Sequence, residues 1–251
     1  MEALNSAELN ITHVGTPEDL AATTLKMFID SANEAIQTRG SFRVAISGGH
    51  TPARFFELLG DTAEAGTIQW DHVDLFWVDE RCVPPDAEAS NYRLAAETFL
   101  SKVPIGADKV HRVPGECDDY ARAVRMYADI IRRVFNLGPG QMPEFDLIML
   151  GMGADGHVGS LFRDSYAHFD TEALVSAVYF AGSDYSRITL THPVLCAASK
   201  LIILVCGPEK ADILRDVMQG EQDEVKYPVH TLWPVLGKVT WIVDNQAGKY
   251  I

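Results

Sequence analysis

Short runs of apolar, β-prone residues recur along this chain, and helical patterns separate most of them. Leu9 to Val14, Phe42 to Ser47, Val73 to Val78, Phe145 to Leu150, Leu201 to Val205 and Lys238 to Val243 read as strands. Ala173 to Phe180 and Arg187 to Thr191 read as two more. Between them, helices are expected from Pro17 to Arg39, Pro52 to Leu59, Ser90 to Leu100, Asp118 to Phe135 and Pro208 to Met218. Thr16-Pro17-Glu18-Asp19 is a helix start, since Thr caps, Pro suits the first turn and acids favour the positive helix end. Uniformly apolar strands alternating with helices indicate an α/β fold, with a mainly parallel sheet covered on both faces. No repeat or long linker interrupts the pattern, so residues 1–251 are expected to form a single domain.

In such sheets, ligands bind beyond the carboxyl ends of strands. Three strand ends carry unusual residues. The first is Ser47-Gly48-Gly49-His50-Thr51-Pro52. Two glycines admit a close backbone approach, and the following helix start offers free N–H groups, which suits phosphate. The same run is compatible with a plain strand-to-helix turn. At the second, Asp79-Glu80-Arg81 puts three charges directly after an apolar run; Asp79 and Arg81 could hold hydroxyls or a charged oxygen. The third is Gly151-Met152-Gly153-Ala154-Asp155-Gly156-His157. Formally this contains the dinucleotide fingerprint G-x-G-x-x-G, but the acidic residue expected about 20 positions later has no clear candidate. Asp155 and His157 read better as an acid–base pair, because imidazole titrates near neutrality. Two further cations stand at strand ends. Arg187 opens a strand, and Lys210 sits in a first helical turn, where the dipole disfavours it unless an anion is near.

Charge sharpens this reading. The chain has 21 basic and 35 acidic side chains, a net charge of −14, so nucleic acid and anionic lipid are repelled at long range. An anionic ligand must therefore be held by a few local cations. No apolar run approaches the ~20 residues of a membrane span. Glu2 and Glu8 leave no room for a signal-peptide core, so the cytoplasm is the expected compartment. Cys82, Cys117, Cys196 and Cys206 form no C-x-x-C pair, and the histidines lack metal-ligand spacing, so no metal site is expected.

Taken jointly, these motifs resemble the 6-phosphogluconolactonase family, within the group that includes the glucosamine-6-phosphate isomerases. The matching stretches are Ser47 to Pro52, Val78 to Arg81 with Ser90-Asn91-Tyr92-Arg93, Phe145 to Phe162, Arg187 to Thr191 and Gly207 to Ala211. The resemblance implies a three-layer αβα domain with a modified Rossmann-like sheet and no metal or organic cofactor. It implies hydrolysis of a sugar-phosphate lactone, 6-phospho-D-glucono-1,5-lactone, in the oxidative pentose phosphate pathway. His157 matches the family's catalytic histidine, with Asp155 beside it. The Gly48–Gly49 loop matches a phosphate-binding loop, and Arg187 and Lys210 match phosphate-holding positions in the related isomerases. Asp-Glu-Arg at 79–81 and Ser160-Leu161-Phe162 look like the lactonase pattern; the isomerases usually carry a Tyr in place of Arg81 and a Glu soon after the His. His50 and Arg163 depart from the family's usual small polar residue and Pro. Two alternatives remain open: an isomerase or deaminase of the same group, and a non-catalytic sugar-phosphate sensor. Nothing in the sequence separates a monomer from a small homo-oligomer.

Overall fold

The computed structural model describes residues 9–61, 63–179 and 185–251. Glu2, Glu8 and Phe180 of the sequence reading lie outside them. The helices are α1 (Pro17–Arg39), α2 (His50–Asp61), α3 (Asn91–Ala95), α4 (Tyr120–Phe135), α5 (Tyr166–Phe169), α6 (His192–Ala197) and α7 (Ala211–Gln219). Their limits follow from local chemistry. In α1 the Thr16 hydroxyl accepts the Asp19 amide at 3.1 Å, and Gly40, with φ of 74°, supplies the left-handed cap at the far end. Helix α4 starts at Tyr120 rather than Asp118 because the Asp119 carboxylate caps it, accepting the Arg122 amide at 2.9 Å. The expected helix from Pro208 begins instead as a 3₁₀ turn over Pro208–Lys210 that leads into α7. Among the described residues, no helix is long and apolar enough to cross a membrane.

The strands are β1 (Asn10–Val14), β2 (Phe42–Ile46), β3 (Val73–Trp77), β4 (Asp79–Arg81), β5 (Val110–His111), β6 (Leu147–Gly151), β7 (Val175–Val178), β8 (Arg187–Leu190), β9 (Leu201–Val205) and β10 (Val239–Asp244). Seven form one sheet in the order β1-β10-β9-β6-β2-β3-β5, and every neighbouring pair is parallel. Every residue of β3 and β9 is buried, as a strand covered on both faces requires. The expected parallel α/β sheet is therefore borne out.

Two expected strands belong elsewhere. The runs beginning at Ala173 and Arg187 give β7 and β8, which pair antiparallel with each other and with β4 in a separate three-stranded sheet. The connection between β7 and β8 is too short for the crossover of about a dozen residues that parallel neighbours need. Val78 joins the two sheets: its N–H donates to Ile46 O at 2.9 Å, and its carbonyl accepts Leu190 N–H at 2.7 Å. One buried cluster contains Phe76, Ile148 and Ile203 of the large sheet with Val175 and Ile188 of the small one, so both sheets share a core.

Strand order reverses at the β2–β6 pair. From β2 the chain steps outward to β3 and β5; from β6 it steps the other way, to β9 and β10. Connections that diverge from such a point leave a crevice at the carboxyl ends of the two strands. The segments that open there are the glycine-rich loops after Ile46 and Gly151.

Candidate active site

The loop after β2 is built to expose backbone. Ser47 N–H still donates to Met149 O at 3.1 Å, and three residues later α2 begins. Gly48 is required by a neighbour: a Cβ there would lie 2.0 Å from Asn91 Oδ1. Gly49 is required by the backbone, with φ of 103°. Any side chain at Gly49 therefore strains the chain itself, so a substitution there acts on folding as well as on ligand approach. The Ser47 hydroxyl is buried and has no hydrogen-bond partner among the described residues.

The small sheet folds over this loop and brings cations to it. Arg81 and Arg187 are Cα partners on the antiparallel β4–β8 pair. Like charges directly opposite one another destabilise a sheet, so an anion between them has a physical rationale. Arg81 donates from Nη1 to Ala89 O at 2.6 Å, while its buried Nε has no partner among the described residues. Burial pushes the Arg187 guanidinium below its usual range, partly offset by the nearby Asp79 charge. The middle residue of the triplet does different work. Glu80 accepts from the amides of Arg81, Asn91 and Tyr92 and from the Ser90 hydroxyl, at 2.8 to 3.0 Å. Glu80 thus ties β4 to the start of α3. Burial pushes its carboxyl pKa up while these four donors pull it down.

After β6 the chain turns repeatedly without starting a helix until Tyr166, so the dinucleotide fingerprint lacks the helix it needs. The turns serve a side chain. His157 Nδ1 lies 2.5 Å from Asp155 Oδ1, and that bond holds the Asp155 carboxyl down to about 2. With Nδ1 engaged, Nε2 is the nitrogen left for the cleft. Gly153 makes the room, since a Cβ there would sit 2.1 Å from His157 Nδ1. Gly156, with φ of 82°, is braced from outside by Val229 N–H, which donates to its carbonyl at 2.9 Å.

These parts share one cleft of about 160 Å³, lined by Ser47, Gly48, Gly49, His50, Thr51, Asp79, Arg81, His157 and Arg187, together with Asn91. Asp155 stands behind His157 rather than on the wall. Lys210 is not on the wall either; it precedes α7 at the end of β9, beside β6 on the same sheet edge. Asp79 is 5% exposed and accepts the Ser160 hydroxyl at 2.7 Å, which links the histidine loop to β4. Asn91 was not singled out from sequence. The signal for it is indirect: a glycine whose missing Cβ is filled by a side chain more than forty positions away. Among the described residues, no group of three or more His, Cys, Asp or Glu is arranged to hold a metal ion.

A family profile described as "Glucosamine-6-phosphate isomerases/6-phosphogluconolactonase" matches residues 15–241, which include the whole cleft. The chain belongs to this family. A member from Nostoc sp. named 6-phosphogluconolactonase is 34% identical over 229 residues, covering 91% of this chain and 92% of its own. One from Arabidopsis thaliana, named probable 6-phosphogluconolactonase 4, is 37% identical over 226 residues, covering 85% and 84%. The solved 6-phosphogluconolactonase from Trypanosoma cruzi superposes with a TM-score of 0.87 at 25% identity, covering 100% of this chain and 99% of that one. Family membership thus bears out the resemblance read from the strand ends.

Proposed function

We propose that this chain is a 6-phosphogluconolactonase, which hydrolyses 6-phospho-D-glucono-1,5-lactone to 6-phospho-D-gluconate in the oxidative pentose phosphate pathway. The observation that carries the reading is the His157–Asp155 pair, whose imidazole opens into the same cleft as Arg81, Arg187 and the glycine loop. A lactone is a cyclic ester. Its opening needs an activated water, support for the oxyanion and a proton for the leaving oxygen. His157 Nε2 takes a proton from water as the oxygen attacks C1. Asp155 holds the imidazole in the tautomer that leaves Nε2 bare and stabilises the imidazolium that forms. When the tetrahedral intermediate collapses, the C1–O5 bond breaks and His157 returns the proton to O5.

At the other end of the substrate, the phosphate meets Arg187, Arg81 and the backbone N–H groups at the start of α2. The Ser47 hydroxyl, orphaned in the wall, is a further donor to it. Asp79 keeps a carboxylate oxygen for a sugar hydroxyl, its other one being bonded to Ser160. The Lys210 assignment rests on the family resemblance alone. We read the chain as one domain, working as a monomer or small homo-oligomer without a cofactor. Its four unpaired cysteines suit the reducing cytoplasm.

The test is lactone consumption by purified protein against an enzyme-free blank, with glucosamine 6-phosphate as the competing substrate. Lactone hydrolysis above the blank is expected. Turnover of glucosamine 6-phosphate without lactone hydrolysis would overturn the reading in favour of the isomerase branch. Arg187→Ala is expected to impair the phosphorylated lactone strongly and the unphosphorylated one little, since a charge-assisted hydrogen bond contributes about 1.5–3 kcal/mol. An unchanged kcat/KM ratio for the two lactones would remove Arg187 from phosphate recognition.

A further inference from the structure

One aromatic ring stands between the histidine and the arginine. The Phe162 ring centroid lies 4.3 Å from that of His157, with the planes at 46°, and Arg187 Cζ lies 5.5 Å from the same Phe162 centroid. Phe162 is 9% exposed and does not itself line the cleft. Its position is fixed from several sides. The Ser165 amide and hydroxyl both donate to the Phe162 carbonyl, at 2.9 and 2.8 Å. Just upstream, Leu161 N–H donates to Val158 O at 3.0 Å, and Ser160 is bonded to both Asp79 and Thr189. Thr189 lies on β8, the strand that begins with Arg187.

We propose that Phe162 is a positioning residue that sets the spacing between the catalytic imidazole and the phosphate-holding guanidinium. The proposal rests on the functional reading above and names the element that joins its two ends. In the lactone, C1 and the phosphate-bearing C6 arm are fixed to one ring, on either side of its oxygen, so base and cation must keep a fixed separation for both to engage at once. A misplacement of about 1 Å is enough to cost a large rate factor in such a site. Phe162 supplies the spacing by contact with both groups: ring packing limits the tilt of the imidazole, and its π face attracts the half-buried guanidinium. The ring offers Arg187 no counter-charge, so the guanidinium keeps its hydrogen-bond donors for the ligand.

The test compares kcat and KM on the phosphorylated and unphosphorylated lactones for the full-length wild type, Phe162→Leu, Arg187→Ala and the double variant. Phe162→Leu keeps apolar bulk and removes the π face. On the phosphorylated lactone its kcat/KM is expected to fall roughly tenfold or more, with kcat lowered and KM raised. The unphosphorylated lactone should show mainly the kcat loss, so the preference for phosphate narrows roughly fivefold. In the Arg187→Ala background, Phe162→Leu should retain only the kcat part, giving a non-additive cycle. Kinetic constants within about twofold of wild type, or strictly additive effects on both lactones, overturn the proposal. If Phe162→Leu fails to fold, Phe162→Met is read by the same criteria. Lack of turnover of either lactone by the wild type overturns the functional reading itself, and the proposal with it.

Discussion

The glycine-rich ends of β2 and β6 lie side by side at one edge of the sheet and use glycine for opposite purposes. After β2 a helix begins at once, and Gly49 supplies a left-handed backbone in the wall of the cleft. After β6 no helix starts before Tyr166, and Gly153 supplies empty volume that His157 fills. In the proposed reading, one loop holds charge through its backbone and the other moves a proton through a side chain. A shared richness in glycine therefore says little about role until it is known what occupies the space of each missing Cβ.

The sharpest break in this comparison comes from the histidine. His157→Gln should lower kcat by roughly 10²–10⁴-fold, the usual worth of a general base, while leaving the melting temperature nearly unchanged. A folded variant with unaltered kcat would strip the β6 loop of its chemical role. Next in size is Gly153→Ala, which sets a methyl 2.1 Å from His157 Nδ1 and 2.8 Å from Asp155 Oδ1. The ring must leave its position, so kcat should drop by about 10- to 100-fold with KM little affected.

Gly48→Ala attacks the other loop, with a methyl 2.0 Å from the Asn91 amide oxygen. Asn91 must shift and lose its 2.9 Å bond to Asp79 O, at a cost of about 1–3 kcal/mol in the unfolding free energy measured by denaturation, and KM should rise. Adding Asn91→Ala should restore part of the stability by removing the clash. If Gly48→Ala instead lowers kcat at constant KM, the division of labour between the loops fails.

The smallest effect is a pH dependence. The Asp155 carboxyl, held at about 2 chiefly by the His157 hydrogen bond, lies below its unfolded value. Such a group adds stability above its unfolded pKa, near 4, and the contribution is lost as pH falls through its folded pKa. Because the carboxylate is partly exposed, screening leaves less than about 1 kcal/mol. Wild type should therefore be slightly more stable than Asp155→Asn at pH 5, with the gap closing toward pH 2. A gap independent of pH would mean that the pair is not formed.

Much of this molecule was legible as local signal. Apolar-rich runs marked the covered strands β2, β3, β6, β9 and β10, because a strand covered on both faces must be largely apolar; edge strand β1, none of whose residues is buried, was also read as a strand, and the two-residue β5 was not. Thr16, Pro17 and Gly40 fixed the limits of α1 through groups only a turn away. Asp155 and His157 are two residues apart, so their pairing was within reach of sequence spacing. Other features depend on partners distant in the chain. The antiparallel pairing of β4, β7 and β8, and the bonds by which Val78 joins both sheets, are reported by no periodicity. Arg81 faces Arg187 only because of that register, and Glu80, adjacent to both Asp79 and Arg81, turns away to cap α3. Sequence by itself determined which residues carry charge, freedom and apolar bulk, since those are properties of single side chains and their near neighbours. Which of them share the cleft was decided by tertiary structure alone, because the reversal of strand order at β2 and β6 and the folding over of the small sheet are products of long-range pairing.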